Sequence, residues 1–264
     1  MTSDPRSAPL VFITGASSGI GQALAARFAR AGYRLALVAR RTDELRAWAD
    51  AQGLDARRCG IFGADVADID SIVAAGQACI AQMGLPDVVV ANAGISIGMD
   101  TGDREDIDVM ARTFAVNNTG MAATFHPFVD GMRQRGSGRL VAVASVAAIR
   151  GLPGHGAYCA SKAAVVAYAE SLRGELRGSG VKVVTLVPGY VDTPLTRRNR
   201  YSMPFLMPVE AFADRAHAAI EAGAAWRVIP WQMGWVARLL RVLPIPLFDR
   251  LLAGRPRKHR QSER

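Results

Sequence analysis

Cysteine is scarce in this chain of 264 residues. Cys59, Cys79 and Cys159 have neither the spacing of a disulfide framework nor that of a metal site. Reduced thiols in a cytoplasmic compartment are therefore expected. The four histidines are scattered, with no HxxxH or HExxH pair, so no metal site is expected. No run reaches the roughly 18 apolar residues that a membrane-spanning helix needs. Residues 1–9 lack the apolar core of a secretory signal and read as a flexible N-terminus. Acidic side chains are fewer than basic ones, 23 against 32, giving a net charge of +9. That excess is uneven: from Arg227 onward nine Lys/Arg accompany two Asp/Glu, a net +7, which leaves +2 for the first 226 residues. The basic end has no accompanying nucleic-acid motif, so no nucleic-acid partner is expected.

What the chain does have is alternation. Apolar, β-branched runs at Leu10–Thr14, Leu35–Ala39, Asp87–Gly94, Arg139–Ser145 and Val181–Gly189 read as strands buried on both faces. A weaker run lies near Arg57–Phe62, and Trp226–Pro230 is a plausible last strand. Helical periodicity fills the gaps, as in Gly21–Gly32, Thr42–Gly53 and Asp68–Met83. Such alternation predicts an α/β fold, a Rossmann-type doubly wound parallel sheet of about seven strands with helices on both faces. With no internal repeat or linker, residues 10–230 read as one catalytic domain. Residues 231–264 form a basic, amphipathic extension.

Three local patterns carry chemistry. "TGASSGIG" (Thr14–Gly21) follows the first strand and opens a helix; its glycines allow a tight turn and close approach of a pyrophosphate to free helix N–H groups. Arg40 and Arg41, at the end of the second strand, stand where an acid would bind the ribose of NAD. Guanidinium there suits the 2′-phosphate of NADP, so NADP(H) is preferred and NAD(H) stays open. In "AYCASK", Tyr158 and Lys162 are one helical turn apart and share a face.

Together with "NAG" (Asn92–Gly94), "VNNTG" (Val116–Gly120), Ser145 and "PG" (Pro188–Gly189), these motifs resemble the short-chain dehydrogenase/reductase family from about Leu10 to Pro230. The resemblance implies a catalytic tetrad of Asn117, Ser145, Tyr158 and Lys162. Tyr158 would be the general acid/base, its pKa lowered by the Lys162 ammonium and an oxidised nicotinamide. Lys162 would also hold the nicotinamide ribose, Ser145 the substrate oxygen, and Asn117 a relay water. The resemblance also implies cofactor contacts from Gly15, Ser17, Gly19 and Ile20, with Asp65 and Val66 at the adenine. Asn92 and Gly94 would flank the fourth strand's end, Asn92 serving strand packing as well, and Pro188, Gly189 and Thr193 would border the nicotinamide. Asn118 beside Asn117 makes that assignment depend on register. Cys159 and His155 read as a small neighbour of the tyrosine and a loop histidine.

In that family the segment equivalent to Leu195–Pro208 is a mobile lid. Here it combines Arg197, Arg198 and Arg200 with Met203, Phe205, Leu206 and Met207, which points to a hydrophobic carbonyl or alcohol substrate. In the extension, a helix over Trp231–Leu243 would gather Trp235, Val236, Leu239, Leu240 and Leu243 on one face, with Arg238 and Arg241 opposite. Such a helix lies on a membrane at the inner face, covers the cleft, or packs between subunits. The family's habit implies a homodimer or homotetramer through helices near Glu105–Arg133 and Gly156–Leu176. A non-catalytic cofactor-binding or membrane-surface protein on the same fold is the alternative function.

Overall fold

A computed structural model describes residues 8–197, 199, 201–254, 258 and 260. Arg198 and Arg200 of the anticipated lid lie outside the described residues. Seven parallel strands form one sheet in the order β3-β2-β1-β4-β5-β6-β7: β1 (Leu10–Thr14), β2 (Arg34–Ala39), β3 (Cys59–Gly63), β4 (Val88–Ala91), β5 (Gly138–Val143), β6 (Val181–Pro188) and β7 (Trp226–Ile229). The sheet is a Rossmann-type doubly wound one, as the alternation predicts.

The strands are apolar throughout because both faces are covered. Val11 and Ile13 of β1 pack with Leu24 and Phe28 of α1 (Gly19–Arg30), Leu45 of α2 (Thr42–Ala51) and Phe212 of α7 (Val209–Glu221). Leu10 and Phe12, one residue out of phase, pack with Ile72 of α3 (Ile69–Met83), Phe128 of α5 (Gly120–Arg135) and Val165 of α6 (Gly156–Glu175). The period-2 alternation of a strand thus builds two cores from one sequence run.

Between α4 (Arg104–Phe114) and α5, a π-helical turn over Ala115–Thr119 carries Asn117 inward. Beyond β7 come α8 (Trp231–Val242) and α9 (Ile245–Leu252). The "PIP" sequence therefore both ends α8 and starts α9, with Pro244 as N-cap and Pro246 in the first turn, where its missing N–H costs nothing.

The sheet order reverses between β1 and β4, so a crevice opens at their carboxyl ends. Each motif follows a strand at that same edge: the glycine turn after β1, Asp65 after β3, Asn92 after β4, Ser145 after β5 and Gly189 after β6.

Candidate active site

The edge is fastened before it is functional. The Thr14 hydroxyl accepts from the backbone N–H of Asn92 and Ala93, and the Asn92 amide donates to the carbonyls of Thr14 and Gly15. Asn92 is thus a brace between the ends of β1 and β4 as well as part of the cleft wall. Gly15 has φ +66°, and a Cβ there would stand 2.9 Å from Ala93 Cα, so no other residue fits this turn.

A cleft of about 540 Å³ runs along this edge. It collects Gly15, Ser17, Gly19, Ile20, Arg40, Arg41, Asp65, Val66, Asn92, Gly94, Pro188, Gly189 and Thr193, together with Ser145, Tyr158 and Lys162. Arg41 is tied to Glu44 at 3.0 Å and reaches Ser17 Oγ at 3.4 Å; Arg40 is largely exposed, 3.7 Å from Asp65. Thr193 is buried against Gly19, across the cleft from the glycine turn.

Asn117 is buried rather than on the wall. Its Oδ1 accepts from the Ile95 N–H at 2.9 Å, and its Nδ2 donates to Ile95 O at 3.0 Å and Ser161 Oγ at 2.9 Å. A Cβ added at Gly94 would lie 3.2 Å from Asn117 Oδ1 and 3.5 Å from Lys162 Nζ, so both heads converge on that glycine. Asn118 instead donates to the Ser161 carbonyl at 2.9 Å, so of the two asparagines it is Asn117 whose head lies beside Lys162.

Lys162 is 5% exposed and donates to the Val143 carbonyl at 2.8 Å. Burial brings its pKa down to about 8. Its ammonium stands 5.9 Å from the centre of the Tyr158 ring. Within the chain itself, burial pushes Tyr158 up, opposed by a hydrogen bond with Ser145; the anticipated lowering draws on an oxidised nicotinamide as well. Burial is the largest cause for both groups. Cys159 is buried and its thiol pushed up, which is the opposite of an activated nucleophile.

A second cavity, of about 660 Å³, adjoins the cleft. The two share Ser145, Tyr158, Gly189, Leu195 and Thr196, so the hydroxyls of Ser145 and Tyr158 stand at their junction. Its far wall is α8, through Met233, Val236, Ala237 and Leu240, and α9, through Leu251 and Leu252. The anticipated lid contributes differently from expectation. Arg197 turns out to Asp192 at 2.7 Å, Met207 is buried beside Val191, and Phe205 and Leu206 are exposed. Its share of the cavity is Leu195, Thr196, Asn199, Tyr201, Ser202 and Pro204, so the apolar wall comes from the extension and from Val146, Ala147, Ile149, Leu152 and Pro153 rather than from the lid's Met203, Phe205, Leu206 and Met207.

Arg150 escaped the sequence reading, while His155, read as a loop histidine, stands in the cavity wall. His155 is held by Pro153 O at 3.1 Å and Tyr201 Oη at 3.3 Å, and burial lowers its pKa. Arg150 donates to the carbonyls of Leu240 and Leu243, the latter at 2.8 Å, and its guanidinium lies 3.7 Å over the Phe248 ring. It fastens the end of α8 and the middle of α9 to the turn that follows Ser145. No local motif marks Arg150, because Leu240 and Leu243 lie 90 and 93 residues away.

Comparison with known proteins extends this description. The sequence pattern of short chain dehydrogenases matches residues 9–203. An uncharacterized oxidoreductase of Myxococcus xanthus is 39% identical over 241 residues, covering 90% of this chain and 93% of that one. The fold resembles a short-chain dehydrogenase of Sphingobium yanoikuyae in complex with NADPH (27% identity, TM-score 0.73, 90% and 97% coverage). It also resembles the 3-ketoacyl-(acyl-carrier-protein) reductase of Brucella melitensis complexed with NADH (25% identity, TM-score 0.74, 85% and 97% coverage).

Proposed function

Since the chain belongs to the short-chain dehydrogenase family, we propose that it is an oxidoreductase using NADP(H) to interconvert a lipophilic ketone and its secondary alcohol. The observation that carries this reading is the junction of the two cavities at Ser145 and Tyr158: one cavity has the shape of a dinucleotide cleft, the other a largely apolar wall.

The residues present fit the cofactor. The glycine turn leaves backbone N–H groups at the start of α1 open to a pyrophosphate, with no side-chain cap from Ser18. Arg40 and Arg41 offer guanidinium to a 2′-phosphate, with no acid at the end of β2 to favour a free hydroxyl. Asp65 and Val66 would border the adenine; Asn92, Gly94, Pro188, Gly189 and Thr193 would border the nicotinamide. When bound, the dihydronicotinamide supplies the hydride. NADP(H) is the reading of Arg40 and Arg41; the relatives in complex with NADPH and with NADH accommodate either cofactor.

The chain's own groups do the rest. Ser145 holds the carbonyl oxygen at the junction, and Tyr158, whose raised pKa keeps it protonated at neutral pH, delivers a proton to that oxygen during reduction. The Lys162 ammonium stabilises the phenolate left behind. Asn117, converging with Lys162 on Gly94, holds the route by which the proton is replaced from solvent. In oxidation the same groups work in reverse. We further propose that two or four copies associate through the α4, α5 and α6 faces, where Ile107, Met110 and Tyr168 are exposed.

The test is NADPH and NADH oxidation by purified protein against ketones graded from short and polar to long-chain. Turnover that rises with chain length and prefers NADPH supports the reading. Tight NADPH binding without turnover on any member would favour a non-catalytic, cofactor-binding role.

A further inference from the structure

α8 is apolar on two sides, and only one is used. Met233, Val236, Ala237 and Leu240 face the substrate cavity. On the other side Trp231, Trp235, Leu239 and Val242 are 62–75% exposed, and Ile245 and Leu247 of α9 continue the open surface. The single broad face anticipated from sequence is therefore divided: Val236 and Leu240 turn in, Trp235 and Leu239 turn out. Arg238, anticipated opposite Trp235, lies instead beside it, its guanidinium 5.3 Å from the centre of the indole.

We infer that this open face docks on an anionic phospholipid surface, so that the cavity wall is also the membrane-facing wall. Three observations favour lipid over a second copy of the chain. Charge favours an anionic surface, since α8 and α9 carry Arg238, Arg241 and Arg250 against Asp249 alone, with Arg238 beside the exposed Trp235. The exposed residues are of the interfacial kind, with tryptophan and leucine flanked by arginine. The inner side of the same helix lines the cavity that reaches Ser145 and Tyr158, so only one helix diameter, ~10 Å, separates a bilayer on the open face from that cavity. No helix among the described residues is long and apolar enough to cross a membrane, so the contact is peripheral. The docking stands on the exposed face alone; that the bilayer supplies the substrate rests on the reductase reading above.

Co-sedimentation of the full chain with vesicles of phosphatidylcholine, with and without phosphatidylglycerol, tests the docking. The wild type should bind the mixed vesicles at least tenfold more tightly than neutral ones, and lose that gain in high salt. The double variant Trp235→Glu, Leu239→Glu should bind at least tenfold more weakly while retaining NADPH affinity and turnover of a water-soluble ketone. Equal sedimentation of both forms, or none of the wild type, overturns the inference. So does a change of oligomeric state in the variant without vesicles, because the face would then join copies of the chain. Turnover of the soluble ketone is read separately, so failure of docking and failure of the reductase reading remain distinct.

Discussion

At the scale of single residues, the catalytic argument turns on Lys162. A buried ammonium is disfavoured, and its pKa of about 8 means that its charge is lost in mildly alkaline solution. In the proposed mechanism, reduction depends on that charge to stabilise the Tyr158 phenolate. The pH profile of kcat/KM for reduction should therefore fall above about pH 8, before a phenol held above its ordinary range loses its proton. Lys162→Arg, which stays charged, should be slower but without that limb; a profile identical to the wild type's would assign the limb to another group. The same burial implies a stability cost. Lys162→Met should abolish turnover yet raise resistance to heat or urea, by about 1–4 kcal/mol if the apolar side chain packs well. Thermal denaturation of the two proteins decides this, and a lower midpoint in the variant would contradict it. Tyr158 and Lys162 were legible as a pair because helical spacing alone brings them to one face. Their titration was not, because it depends on burial supplied by β5 and the loop after β4, far away in the chain.

At the scale of elements, strands were legible because a parallel sheet covered on both faces leaves continuous apolar runs. β3 was least clear and starts at Cys59 rather than Arg57, because Asp55 accepts from the N–H groups of Arg57 and Arg58 and holds them in a turn. α8 was read to within a residue, yet the use of its sides was not, since periodicity reports that a helix is apolar and not which side meets the body. Arg150 makes that choice, gripping the end of α8 from the turn after Ser145. Arg150→Ala should loosen the far wall of the cavity, raising KM for long-chain ketones about tenfold or more while leaving NADPH affinity unchanged. Equal loss for short and long substrates would instead assign Arg150 a general structural role. Gly189 limits the same contact from the sheet, since a Cβ there would come within 2.7 Å of Met233.

At the scale of the whole molecule, family, sheet order and cleft position all follow from motif order, since the glycine turn, Asn92, Ser145 and Gly189 each follow a strand at the same edge. Assembly does not, because an exposed apolar residue has the same sequence signature whether it meets lipid, a partner or water. Met110 and Tyr168 place the proposed contact between copies on α4 and α6, away from α8. Light scattering should give a dimer or tetramer that Met110→Asp with Tyr168→Asp dissociates; a wild-type monomer would contradict this. The central claim is that Tyr158 transfers the proton at the junction of the two cavities. The most direct measurement is the single-turnover rate of NADPH oxidation by Tyr158→Phe, beside its NADPH affinity. The account predicts unchanged affinity and a rate lower by about 10²–10⁴-fold, the usual contribution of a positioned general acid. Retention of the wild-type rate on a ketone that the wild type reduces would contradict it.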